Sequence, residues 1–266
     1  MDLRIQQLNA HFMISLKSTM AYFSDFVLRI FFQLTEPIIF ALLWTAVYAA
    51  SGTSTIAGMS LTSMYEYYFV VAAFAYSYSW LGWEVSEAVS EGRVLGYMLR
   101  PLGFPTAMFV ESLVFATVRT ALTTLPILAL ATLLFHPALS LASILMIMLI
   151  MIMSFSIMSL FWFTLGCMAF YVTEIGGVIM FFTFTNMMLG GTVIPLQMFP
   201  DMVQKAVFLL PFQLLFYVPA RIFSGAINTA QFLGIVEFAI AWLIIMGMFA
   251  FLVWDRVKRK INVFGI

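Results

Sequence analysis

Glu84, Glu87 and Glu91 follow i, i+3, i+7 spacing, Arg119 and Glu237 sit inside long apolar runs, and Cys167 is the chain's one cysteine. With His11, His136, Glu36 and Glu111, these are the residues whose types could do chemistry in this 266-residue chain. Their spacing argues against catalysis. The two histidines lie far apart, and no cluster has metal-ligand spacing. No apolar run carries a His-rich cluster, a paired-carboxylate site or a nucleophile elbow, so an intramembrane enzyme acting on lipid lacks its residues. The dipeptide "GK" is absent, so there is no phosphate-binding loop and the chain is expected to hold no cofactor of its own. One cysteine excludes an intrachain disulfide.

The charges inside apolar runs are left with transport or structure, because an ionisable group in hydrocarbon is costly and marks function or a buried pair. Arg119 lies near the middle of the third run and Glu237 in the outer third of the last. By helical rise they differ in depth by roughly 10–15 Å, so a direct pair requires tilt or snorkelling. A structural ion pair and a substrate contact both stay open for them, and in either case Arg119 is expected to face protein or water. Glu36, beside Pro37, falls in the first run, and Glu111 near the inner end of the third.

The elements that position these groups follow from composition. Hydrophobic residues make up 64% of the chain and charged ones 9%, with mean hydropathy +1.06. A soluble domain carries about 25% charged residues, so this is an all-α integral membrane protein. Six stretches are apolar over about 20 residues, the length a span requires: 28–50, 67–89, 106–134, 140–172, 175–195 and 232–254. An even number puts both termini on one side. Arg4, Lys17, Arg29, Arg93, Arg100, Arg256, Lys258, Arg259 and Lys260 fall on that side, against Lys205 and Arg221 on the other. Positive charge stays inside, so both termini are expected in the cytoplasm. Tyr65, Tyr67 and Tyr68 then read as part of an outer aromatic belt. In residues 1–24, Leu8, Phe12, Leu16, Met20 and Phe23 recur at helical spacing, which predicts an amphipathic helix lying in the interface. It reads equally as a surface anchor or as a partner contact. No second domain interrupts 1–266, and no nucleic-acid partner is expected.

Two interruptions stand out. The first is the segment 190–230, "GGTVIPLQMFPDMVQKAVFLLPFQLLFYVPARIFSG" at its centre. Gly190, Gly191, Pro195, Phe199, Pro200, Pro211, Pro219 and Gly225 break it into pieces too short to cross a bilayer, yet it stays apolar. Irregular backbone at membrane depth must be covered by protein or water, which predicts short helices re-entering from outside; an ordinary amphipathic surface loop is the other reading. The second is the loop 90–105. Gly92 permits a bend, and Val94, Leu95, Met98 and Leu99 form a short apolar face rimmed by Glu91, Arg93 and Arg100 before Pro101 and Pro105 stop it. Such a knob fits a groove in a partner; a turn whose arginines only set topology is the alternative.

This order of elements, with "EGRVLGYMLRPLGFP" and the 190–225 pattern as its most specific parts, resembles the permease subunits of ABC-type exporters of the second class, ABC-2-like membrane proteins with the type V exporter fold. The resemblance covers the whole chain in layout and is closest to the bacterial half-size members. It implies a multi-pass protein of the bacterial inner membrane whose partners are ABC ATPase subunits, a second permease (the same chain or a sister) and membrane lipid. ATP and Mg would be bound by the ATPase. It implies that residues 91–101, with Leu95 and Leu99, dock on the ATPase. It further implies a path between two permeases lined by the second and fifth spans, with Phe74, Tyr78, Asn186, Met187 and Leu189 as candidates by depth. An apolar lining of that kind suits an amphipathic, lipid-like or drug-like substrate moved outward. The competing function, a secondary transporter driven by an ion gradient, predicts matching helix breaks in two repeated halves, and only one break is visible.

Overall fold

The computed structural model of the chain describes residues 3–21, 23–75, 81–98, 102–137, 139–172 and 174–263. Its helices are α1 (Leu3–Met20), α2 (Phe23–Ser51), α3 (Leu61–Ala75), α4 (Leu81–Ser90), α5 (Arg93–Met98), α6 (Phe104–Arg119), α7 (Leu125–Phe135), α8 (Leu141–Gly166), α9 (Gly176–Gly190), α10 (Asp201–Phe208), α11 (Tyr217–Phe223) and α12 (Thr229–Val263). A two-residue hairpin, Thr55–Ile56 with Met59–Ser60, joins α2 to α3.

Helix α3 is the centre of the bundle. Met64, Tyr67, Tyr68 and Val70 to Phe74 are all buried, because α2, α7 and α11 pack around them. Helix α2 shows why a membrane helix needs only one protein-facing stripe. Phe26, Gln33, Trp44 and Tyr48, at intervals of helical repeat, turn inward, while Phe31, Phe32, Ile39 and Leu42 are exposed to what would be lipid. Helix α8 packs against α4 and α12 on the other side.

Among the described residues, four helical stretches are long and apolar enough to cross a membrane: Leu28–Ser51, Phe104–Phe135, Leu141–Phe170 and Thr229–Lys260. This differs from the six-stretch reading for two reasons. The second apolar stretch is divided between α3 and α4, and residues 76–80 lie outside the described set. The fifth forms α9, whose 15 residues rise about 22 Å, short of a hydrocarbon core about 30 Å thick. Helix α12 runs past its apolar stretch into the basic tail, where Asp255 and Arg259 pair at i, i+4.

Breaks in the helices have local causes. Pro126 lacks an N–H and its ring would crowd the carbonyl four residues back; Thr120–Thr124 widens into a π-turn there, between α6 and α7. The π-turn packs on α2 and α3, and Thr124 Oγ1 donates to the Ala73 carbonyl at 2.8 Å. The Gln33 side chain donates to the neighbouring Ala72 carbonyl. The last turn of α3 thus receives side-chain donors from two neighbours within an apolar bundle, where a bare carbonyl is expensive.

Helix α1 packs on α6 mainly by its polar face, with Leu16 of the predicted apolar residues packed against the cluster of Phe26, Val110, Val114 and Val118. Gln7, His11, Ser15 and Thr19 are partly covered, whereas Leu8, Phe12 and Met20 are exposed. An interfacial helix behaves this way when its apolar side is left for lipid.

Candidate functional site

Two regions carry the geometry: the basic end, with α1, α5 and the C-terminal part of α12, and the far end, where α9 stops. Helix α9 ends because Gly191 adopts φ +91, a conformation that favours glycine. The glycine pair also answers to space. A Cβ on Gly191 would stand 2.5 Å from the Tyr67 hydroxyl, and one on Gly190 would stand 2.7 Å from Phe216 Cδ2. The intruding groups hold the segment in place: Tyr67 donates to the Gly191 carbonyl at 2.6 Å and Tyr68 to the Val193 carbonyl at 2.9 Å. Both tyrosines are buried, so they are interior anchors and not members of an aromatic belt. Tyr65, half-buried, shares a hydrogen bond with Thr45.

The prolines then fall where their missing donors do no harm. Pro195 precedes the 3-10 turn Leu196–Met198, Pro200 is the residue before α10, and Pro211 opens the turn Pro211–Leu214. Phe199 links turn and helix in extended backbone, and Gly225, at φ +70, ends α11. Helix α10 and the Pro211–Phe223 stretch meet at 76°. Carbonyls near that corner find side-chain donors: Gln213 Nε2 reaches Phe208 at 2.7 Å and Trp242 Nε1 reaches Leu209 at 3.1 Å. Trp242 lies about 20 Å along α12 from Thr229, so the corner sits well down the bundle from the α12 start. Asp201 and Lys205 stay exposed on α10.

At the basic end, Gly92 has φ +71 and turns the chain from α4 into α5. Glu91 and Glu87 both accept from Arg93, at 2.5 and 3.1 Å. These exposed pairs contribute little stability but fix the arginine along the turn. The apolar face predicted for this loop is split. Val94 is buried, and Leu95 is 38% exposed, so Val94 packs the loop down and Leu95 is what it presents. Met98 closes α5; Leu99, Arg100 and Pro101 lie outside the described residues. Tyr97 anchors the other side, its hydroxyl donating to Glu111 Oε1 at 3.1 Å, while His11 Nε2 of α1 lies 3.0 Å from the same oxygen. The Tyr97 bond ties α5 to α6, and the His11 ring of α1 lies against the same carboxylate. Tandem spacing could not reveal this junction, since its three members come from distant parts of the chain.

Arg119 is buried, with its guanidinium carbon 4.0 Å from the centre of the Phe115 ring. Glu84 lies within electrostatic reach of Arg119 and Glu111, while Glu237 is exposed on α12. Of the predicted path residues, Phe74 is completely buried in the chain's own core and packs helices; within one chain it presents no surface. Met187 is 40% exposed, Leu189 packs partly buried against the core, and Asn186 has its side-chain oxygen buried without a hydrogen-bond partner among the described residues. Tyr78 lies outside them. Sequence reasoning also missed the α4–α8 crossing. A Cβ on Gly166 would lie 2.6 Å from Val85 Cβ, and one on Gly82 would lie 3.1 Å from the Trp162 ring, so the two helices meet through glycines.

Among the described residues no group of side chains could hold a metal ion. The fold and its two ends define a multi-pass helical membrane protein. The chain belongs to the family described as ABC-2 family transporter protein, whose model matches residues 34–265. It is therefore a membrane subunit of an ABC transporter, a class whose general partner is an ABC ATPase. Neither curated proteins nor solved structures give a match to the chain.

Proposed function

We infer that the chain is the permease of an ATP-driven exporter. Two copies, or one copy and a sister permease, would face each other in a bacterial inner membrane with both termini in the cytoplasm, each contributing six crossings. The segment 190–230 re-enters from outside, a reading supported by the 76° corner and by the Trp242 bond to Leu209 deep along α12. An amphipathic, lipid-like or drug-like substrate moves outward between the permeases, past the exposed face of α9 that carries Met187. Separate ATPase subunits bind ATP and Mg and drive the cycle.

The observation that carries this reading is the 91–98 turn, in a chain of this family. Its backbone is bent at Gly92, its arginine is held by Glu87 and Glu91, Leu95 is left uncovered, and Tyr97 of the same helix bonds Glu111 of α6. Removing a buried interface leucine costs about 1–2 kcal/mol, and a carboxylate in its place adds desolvation. Leu95→Asp is expected to lower ATPase co-purification at least tenfold while leaving the chain in the membrane. Undiminished co-purification and substrate-stimulated hydrolysis would show that this turn is not the docking element.

A further inference from the structure

Helix α9 is held by α4 and by the Pro211–Leu214 turn, and α12 by α8. Between α8, α9 and α12, toward the basic end, a cavity of about 660 Å³ is left, within the range of small-ligand sites. Phe161, Val178, Phe182 and Phe249 make its walls apolar. Its lining includes Val253 and Arg256 of α12, on either side of the point where the apolar run gives way to "DRVKRK". In a membrane protein that change marks the passage from hydrocarbon to headgroups.

Among the described residues, the one charged residue of the cavity lining is a cation, Arg256, and it is exposed. Its acidic neighbour Asp255 is engaged by Arg259 at 2.7 Å, and Glu174, on the connection before α9, is exposed and does not line the cavity. Tyr171 does line it, and Lys260 stands 4.4 Å from that ring's centre with its ammonium donating to the Phe170 carbonyl at 2.8 Å. An apolar slot lined by Arg256, with Lys260 one helical turn further on beside the lining residue Tyr171, matches one chemistry. We propose that the cavity binds an acyl chain of an anionic phospholipid from the adjacent leaflet, with its headgroup phosphate at Arg256 and Lys260. This rests on the chain spanning a bilayer and not on ATP-driven export, so each can fail without the other.

The expected selectivity follows from the charges. An acyl chain leaving lipid for an apolar slot gains little from burial, since both are hydrocarbon. The headgroup must decide. One basic residue near a membrane surface favours an anionic lipid by about fivefold, the equivalent of about 1 kcal/mol, so two cations predict a preference of roughly twentyfold. The test uses the full chain with Cys167→Ala and Met168→Cys, since Met168 lines the cavity and is 38% exposed. Alkylation by a small maleimide is followed in detergent while phosphatidylglycerol or phosphatidylcholine of matched chains is titrated in. Phosphatidylglycerol should protect the cysteine at a roughly twentyfold lower mole fraction. Arg256→Gln should shrink that preference to about fivefold, and Arg256→Lys should retain it. A cysteine at Leu133, 71% exposed on α7, should show no headgroup preference. Equal protection by both lipids, protection by neither, or a preference untouched by Arg256→Gln would overturn the proposal.

Discussion

Replacing Gly191 by alanine tests whether the far-end segment is anchored by α3 or merely lies beside it. The new methyl would sit 2.5 Å from the Tyr67 hydroxyl, closer than real contacts allow, and the backbone there has φ +91. Left-handed backbone costs an alanine about 1–2 kcal/mol. Pushing the hydroxyl away from the Gly191 carbonyl, 2.6 Å distant in the native chain, leaves a buried acceptor unmet at about 1–3 kcal/mol. The total is roughly 2–5 kcal/mol. Tyr67→Phe removes only the second part. Because both variants lose the same bond, the double variant should be no less stable than Gly191→Ala alone, which is the signature of coupled residues in contact. The assay is loss of the monodisperse peak in size-exclusion chromatography after heating in detergent. A midpoint lower by roughly 10 °C is expected for Gly191→Ala, given about 2–4 °C per kcal/mol. Strictly additive effects of the two substitutions, or a Gly191→Ala variant as heat-resistant as the native chain, would refute the anchoring.

Other outcomes follow from the same geometry. Gly166→Ala places a methyl 2.6 Å from Val85 Cβ and should destabilise by about 1–3 kcal/mol as overpacking, with Val85→Ala restoring most of the loss; a rescue that fails would mean α4 and α8 do not meet there. Single cysteines at Asp201 and at Asn228, both exposed, in a Cys167→Ala background should react with an impermeant reagent added from outside intact cells. Reaction of either only from the cytoplasmic side would remove the re-entrant topology.

What the sequence made legible is what depends on one helix at a time. The apolar stretches 28–50, 106–134 and 140–172 fall on Phe23–Ser51, Phe104–Phe135 and Leu141–Phe170, because length and hydropathy alone decide a span. The glycines and prolines of the far end were legible as breaks, since each carries its own backbone preference. Contacts between helices were not. Tyr67 and Tyr68 read as belt residues because amphipathic tyrosines at a span's start usually are; that they donate inward depends on where Gly191 and Val193 come to rest. The Gly82–Gly166 crossing has no signal in either helix by itself, and neither does the meeting of His11, Tyr97 and Glu111. Val94 and Leu95 are adjacent apolar residues, and only the turn at Gly92 decides which of them is buried.

If this permease is half of a membrane pair driven by separate ATPases, the mass of the intact assembly will show it. The chain would be purified at native abundance in mild detergent and released into a native mass spectrometer. The expected species is a complex of two permease subunits and two ATP-binding subunits that breaks into permease and ATPase fragments on activation. A chain that emerges alone, or paired only with itself, with no ATP-binding subunit under any extraction condition and with transport surviving ATP depletion, would contradict it.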